Sequence, residues 1–201
     1  MKVLSKNELS VAASILQNGG LIDFPTETVF GLGVIFDNKY SYDRLVSVKR
    51  RPPEKPFTLM CSCTSDIEKY AHVNSVARKL IDAFVPGQFT IILKAKDNLP
   101  LWAKSSDGFV GIRVPDDKTI RDLIEQTGKP LLVPSANRSG ETPLYCDDDV
   151  NKVFGDELDA IIKGESTSKV PSTIVMVDDD VKIIRLGLIS EKDIKNALAK
   201  E

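Results

Sequence analysis

Apolar residues follow two rhythms along the chain. Short runs at Gly20–Phe24, Phe57–Cys61, Phe89–Leu93, Val110–Val114, Leu131–Val133, Ser172–Val177 and Val181–Arg185 have the length and β-branched content of strands. Between them, apolar positions recur every three or four residues over about 7–18, 40–50, 74–85, 117–127, 147–154 and 190–200, which predicts amphipathic helices. Asn74 and Ser190 stand where an N-cap belongs, and Glu191 and Asp193 add negative charge to the first turn after Ser190. Pro52 and Pro86 punctuate helix ends. Strands 173–177 and 181–185 are close enough to form a hairpin, which breaks the strand–helix alternation. The predicted fold is therefore α/β, a twisted mixed sheet flanked by helices.

Composition narrows the class. The chain has 201 residues, 42% of them hydrophobic and 28% charged, a size and mixture that fit one globular domain over 1–201 with a substantial core. A net charge of −2 supplies no general positive field for nucleic acid. No apolar run approaches the roughly 18 residues that suggest a membrane span. Cys61, Cys63 and Cys146 make an odd set with no secretory signal before them, so reduced thiols and a cytoplasmic location are expected.

Several motifs point away from chemistry. Gly31-Leu32-Gly33 lacks the third glycine of a dinucleotide fingerprint, so a turn or close packing is expected there. Cys61-Ser62-Cys63 has no second pair to complete a zinc site, and His72, the single histidine, has no nucleophile signature near it. The aspartate triplets at 147–149 and 178–180 sit where a helix start and a hairpin turn are expected.

What remains is a basic segment, Lys49-Arg50-Arg51, at a helix end, and a loop, Pro134-Ser135-Ala136-Asn137-Arg138-Ser139-Gly140, directly after a strand. Taken alone, the first reads as solvated surface and the second as an ordinary Asx or serine turn. Together they supply a guanidinium fork, an ammonium, a hydroxyl and an amide, the donor set that polyphosphate requires. Lys49 and Arg51 would face the phosphates, with Arg50 turned elsewhere.

The ordered segments Pro25–Gly33, Lys49–Pro52, Lys55–Phe57, Pro86–Thr90, Ile112–Pro115, Pro134–Gly140 and Ser172–Val175 resemble the motif series of the YrdC/Sua5 family, from about residue 8 to the final helix. The resemblance implies a YrdC-like fold with a concave nucleotide-binding pocket, in the short form without the C-terminal Sua5 domain. It implies synthesis of L-threonylcarbamoyladenylate and pyrophosphate from L-threonine, bicarbonate or CO2, and ATP, a nucleotidyltransferase reaction. The product would pass to a downstream transferase complex that forms t6A in tRNA. By motif position, Lys49, Arg51, Ser135 and Asn137 would hold the ATP phosphates, with Lys55 and Arg185 extending the ATP site, while Thr28, Arg113 and Ser172 would bind threonine. The metal implied is a magnesium ion (Mg2+) held mainly by ATP and water.

Phe57–Cys61 and Phe89–Lys94 are more similar to the YciO branch, and this chain has Met60 near the place where many family members carry a histidine. A YciO-like paralogue is one alternative. Another is a module that binds tRNA or double-stranded RNA through Lys49, Arg50, Arg51, Lys55, Arg113, Arg138 and Arg185.

Overall fold

The computed structural model describes residues 1–52 and 56–200. Lys55, expected in the ATP site, lies outside the described residues together with Pro53 and Glu54. In chain order the elements are β1 (Lys2–Leu4), α1 (Leu9–Gln17), β2 (Ile22–Phe24), β3 (Gly31–Ile35), α2 (Lys39–Lys49), β4 (Leu59–Met60), α3 (Ile67–Tyr70), α4 (Ser75–Phe84), β5 (Phe89–Lys94) and β6 (Phe109–Arg113). They continue with α5 (Lys118–Thr127), β7 (Leu131–Leu132), α6 (Asp147–Phe154), β8 (Ala160–Ile162), β9 (Thr173–Val177), β10 (Val181–Arg185) and α7 (Glu191–Leu198).

The strands form one mixed sheet in the order β1-β8-β2-β3-β7-β4-β6-β5-β9-β10. Pairs β1–β8, β8–β2, β4–β6 and β5–β9 run parallel, and the other neighbours are antiparallel. The expected hairpin is present, with Val181 opposite Val177 and Asp178–Asp180 at its turn. Leu45 and Val48 of α2, Leu80 and Ile81 of α4, Phe154 of α6 and Ile194 of α7 build the larger core on one face. The other face buries Leu16 of α1 and Leu123 of α5 against Ile22 and Phe24. No helix among the described residues is long and apolar enough to cross a membrane.

The helix starts follow from their caps. Asn74 accepts from the Ala77 amide at 2.8 Å, and Ser190 forms a reciprocal capping box with Asp193. Asp147, Asp148 and Asp149 open α6, where negative charge meets the positive end of the helix dipole. His72 is exposed just beyond α3.

Strands β1, β3 and β8 are additions to the predicted set. In β3, Gly31 and Gly33 provide close packing, as expected, but inside a strand instead of a turn. A Cβ on Gly33 would sit 2.5 Å from the Phe24 ring, and one on Gly31 would sit 2.6 Å from Val133. The missing side chains let Phe24 pack flat against its neighbour strand at full burial.

Candidate active site

Arg50 closes α2 in the left-handed conformation at φ 49°. That conformation costs an L-residue about 1–2 kcal/mol and turns the chain sharply. The turn sends Lys49 inward, leaves Arg50 exposed and brings Arg51 to a cavity above the middle of the sheet. This cavity, of about 180 Å³, is bounded by Thr28, Arg51, Met60, Arg113, Ser135, Ser172 and Arg185, among others. Of the residues expected to bind ATP, Arg51, Ser135 and Arg185 line this space together with the expected threonine residues Thr28, Arg113 and Ser172, although the chain from residue 28 to residue 185 separates them.

Arg113, at the end of β6, is 7% exposed. It donates from Nη1 to Thr28 Oγ1 at 2.9 Å and from Nη2 to Glu27 Oε1 at 2.7 Å. Thr28 Oγ1 donates to Thr26 Oγ1 at 2.9 Å, since the Thr26 hydroxyl proton goes to the Val29 carbonyl. The hydroxyls of Ser172 and Thr90, also on the cavity lining, meet at 2.8 Å. Arg185 grips the Ser172 carbonyl from Nη2 at 2.8 Å and from Nε at 3.1 Å. Burial, and then the charge of Arg113, pull the Arg185 guanidinium below its ordinary value, so these two cations lie within each other's field. Met60 is 2% exposed and pairs across the sheet with Arg113 and Leu131.

The residues expected at the phosphates stand in two layers. Arg51 and Ser135 line the cavity, whereas Lys49 and Asn137 stand behind it at 2% and 8% exposure. Lys49 Nζ donates to the Ser135 carbonyl at 2.6 Å, the Asn137 carbonyl at 2.5 Å and Asn137 Oδ1 at 3.0 Å, which uses all three of its protons. Ser135 Oγ also donates to Asn137 Oδ1, and Asn137 Nδ2 reaches the carbonyls of Arg138 and Glu141. The ammonium therefore fastens the 135–141 loop to the end of α2. Burial, with Arg51 and Arg138 adding like charge, lowers the Lys49 pKa to about 8 against the opposing pull of Asp23 and Glu141. Arg51 stacks 4.9 Å from the Phe57 ring centroid and donates to the Pro56 carbonyl.

Three polar residues around the site were not singled out from the sequence. Glu27 and Thr90 lie inside motifs quoted above but were given no part. Asp23 on β2 is fully buried, and both of its carboxyl oxygens lack a hydrogen-bond partner. Strand alternation points it to the α2 face, among Leu32 and Ile161. Its signal was one carboxylate inside an apolar run, Leu21-Ile22-Asp23-Phe24.

Known proteins share this architecture. A threonylcarbamoyl-AMP synthase of Vibrio campbellii is 30% identical over 175 residues, spanning 86% of this chain and 95% of its own. The crystal structure of P. abyssi Sua5 complexed with L-threonine superposes with a TM-score of 0.94 at 25% identity, over 99% of this chain. This chain spans 61% of that longer protein. E. coli YciO matches with a TM-score of 0.88 at 26% identity, over 96% of this chain and 98% of its own. The family model for Sua5, YciO and YrdC, described as "Telomere recombination", matches residues 14–187, which take in every cavity residue named above. By that match and that fold, the chain belongs to the Sua5/YciO/YrdC family.

Proposed function

We propose that the chain makes threonylcarbamoyl-AMP and pyrophosphate from L-threonine, bicarbonate or CO2, and ATP, a nucleotidyl transfer that supplies t6A modification of tRNA. The observation carrying this reading is one cavity with two cationic stations on its walls. Arg113 with Thr28 forms the first, and Arg51 with Ser135 forms the second. The first suits an amino-acid carboxylate, with the Thr90–Ser172 hydroxyl pair nearby to read a side-chain hydroxyl. The second suits phosphate oxygens, and Arg185, held against Ser172, adds a third guanidinium to the cavity. The cavity continues into an apolar shelf that includes Ile92, Gly111, Met176 and Ile184, a surface that fits a nucleotide base.

In this reaction the neutral amine of threonine attacks CO2, giving a carbamate and releasing a proton. A carbamate oxygen then forms a bond to the α-phosphorus while the bond to the β-phosphate oxygen breaks, and pyrophosphate leaves with that electron pair. The chain aligns two mutually repelling anions and neutralises charge gathering on the leaving oxygens. Magnesium would enter with the ATP substrate, carried by phosphate oxygens and water. A nucleic-acid module is less favoured by the geometry, because Lys49 and Arg113 are withdrawn from the surface and Arg138 is paired with Glu157.

The deciding experiment follows pyrophosphate release by the purified chain with ATP, bicarbonate and L-threonine, and identifies the product by mass spectrometry. Arg51→Ala should lower turnover by roughly 10²–10³, the usual loss when an electrostatic donor is removed, and Lys49→Ala should lower it as well by releasing the loop that carries Ser135. Threonine-independent release, or near-native turnover in both variants, would overturn the assignment. The same assay separates a YciO-like protein without this activity.

A further inference from the structure

Glu27 has no part in the proposed chemistry, yet its ion pair with Arg113 is the most withdrawn from water among the described residues, at 8% and 13% side-chain exposure. Its Oε1 accepts from Arg113 at 2.7 Å and from the Asp116 amide at 3.0 Å. Its main-chain carbonyl accepts from the Ser168 amide at 3.2 Å and the Thr167 hydroxyl at 3.3 Å. Glu27 is thus fixed where three segments meet, and its second oxygen, Oε2, is buried without a hydrogen-bond partner. So placed, the carboxylate is poorly screened by solvent and acts strongly on the one guanidinium it touches.

The cavity poses a sorting problem. Arg51, Arg113 and Arg185 all line it, and the proposed reaction brings in a monoanionic carboxylate beside a polyanionic phosphate chain. Unaided, such a cluster draws the more highly charged ligand over all of its members. Arg185 meets the neutral carbonyl of Ser172, while Arg113 meets a full negative charge. Resting on the reading of Arg113 as the carboxylate station, we propose that Glu27 is a positioning residue that partitions the two anions. It orients the Arg113 guanidinium and half-neutralises it, so that this station keeps a monocarboxylate and is a poor site for polyphosphate.

The test is calorimetric titration of L-threonine into the whole chain, with and without saturating inorganic pyrophosphate. In the unaltered protein, pyrophosphate should leave threonine affinity within about twofold, since the stations are separate. In Glu27→Gln, which keeps an acceptor for Arg113 but removes the charge, pyrophosphate should weaken threonine binding by roughly tenfold or more, as loss of a close desolvated charge partner does. Glu27→Asp should retain the wild-type indifference to pyrophosphate, whatever its threonine affinity. Displacement of threonine by pyrophosphate from the unaltered protein or from Glu27→Asp would overturn the proposal, and so would indifference in a folded Glu27→Gln. If Glu27→Gln does not fold, the other two arms decide. Absence of threonine binding by the unaltered protein is a different result, and it removes the amino-acid station itself.

Discussion

Replacing Asp23 by Asn separates the cost of a buried acid from its shape. Asn has nearly the same volume, so packing against Leu32 and Ile161 is preserved while the titrating proton is lost. Full burial pushes the Asp23 carboxyl well above its ordinary range and outweighs the opposing charge of Lys49. An acid with a raised folded pKa stabilises fully below its unfolded pKa, about 3.9, and that contribution is lost as pH climbs toward the folded value. Within this window the native state holds one proton more than the unfolded chain. The wild type should therefore lose about 1.4 kcal/mol per pH unit relative to Asp23→Asn. Urea unfolding of both proteins at pH 4, 5 and 6 measures it: similar stability at the lowest pH, then an advantage for Asp23→Asn that widens with each step. A constant difference across the series would show that Asp23 titrates normally and would refute the buried-acid account.

Other outcomes follow from the cavity and its surroundings. Loss of the Lys49 proton, with a pKa near 8, frees the 135–141 loop from its fastening, so turnover should fall on an alkaline limb near that pH, read from a pH–rate profile. Thr90→Val strips Ser172 of its 2.8 Å hydroxyl partner and leaves its oxygen only the 3.3 Å hydrogen bond from Arg185 Nη2, so the KM for threonine should rise by roughly tenfold, with a smaller change for ATP. Burial raises the Cys61 thiol, so a thiol-specific reagent should label Cys63 and Cys146 in the native protein and reach Cys61 only after unfolding.

Periodicity disclosed all the longer helices because each shows one apolar stripe to the sheet and one polar stripe to water. Strand β8, only Ala160–Ile162, is buried on both faces and has no alternation to read. Strand β3 was masked by its glycines, whose role became clear only with the Phe24 ring lying over them. At the site, motif order brought Arg51, Arg113, Ser135, Ser172 and Arg185 to one cavity. It did not foretell that Lys49 would spend its protons on the loop behind Ser135, since that depends on the left-handed turn at Arg50. Glu27 and Thr90 are recognised as site residues through their partners, Arg113 and Ser172, which are distant in sequence.

The strand order also dictates when this site can come into being during synthesis. Strand β1 leaves the ribosome first, yet its partner β8 is Ala160–Ile162, and β5 must wait for Thr173–Val177. Closing such long loops is slow, and local pairing cannot shorten the delay. Until β9 arrives, the nascent chain carries Phe89-Thr90-Ile91-Ile92-Leu93-Lys94 with one edge unpaired, an apolar strand of the kind that recruits other chains. The cavity is completed only when Ser172 and Arg185 have emerged, so a chain released before then has neither a finished sheet nor a binding site, and Phe89–Lys94 is where its aggregation should begin.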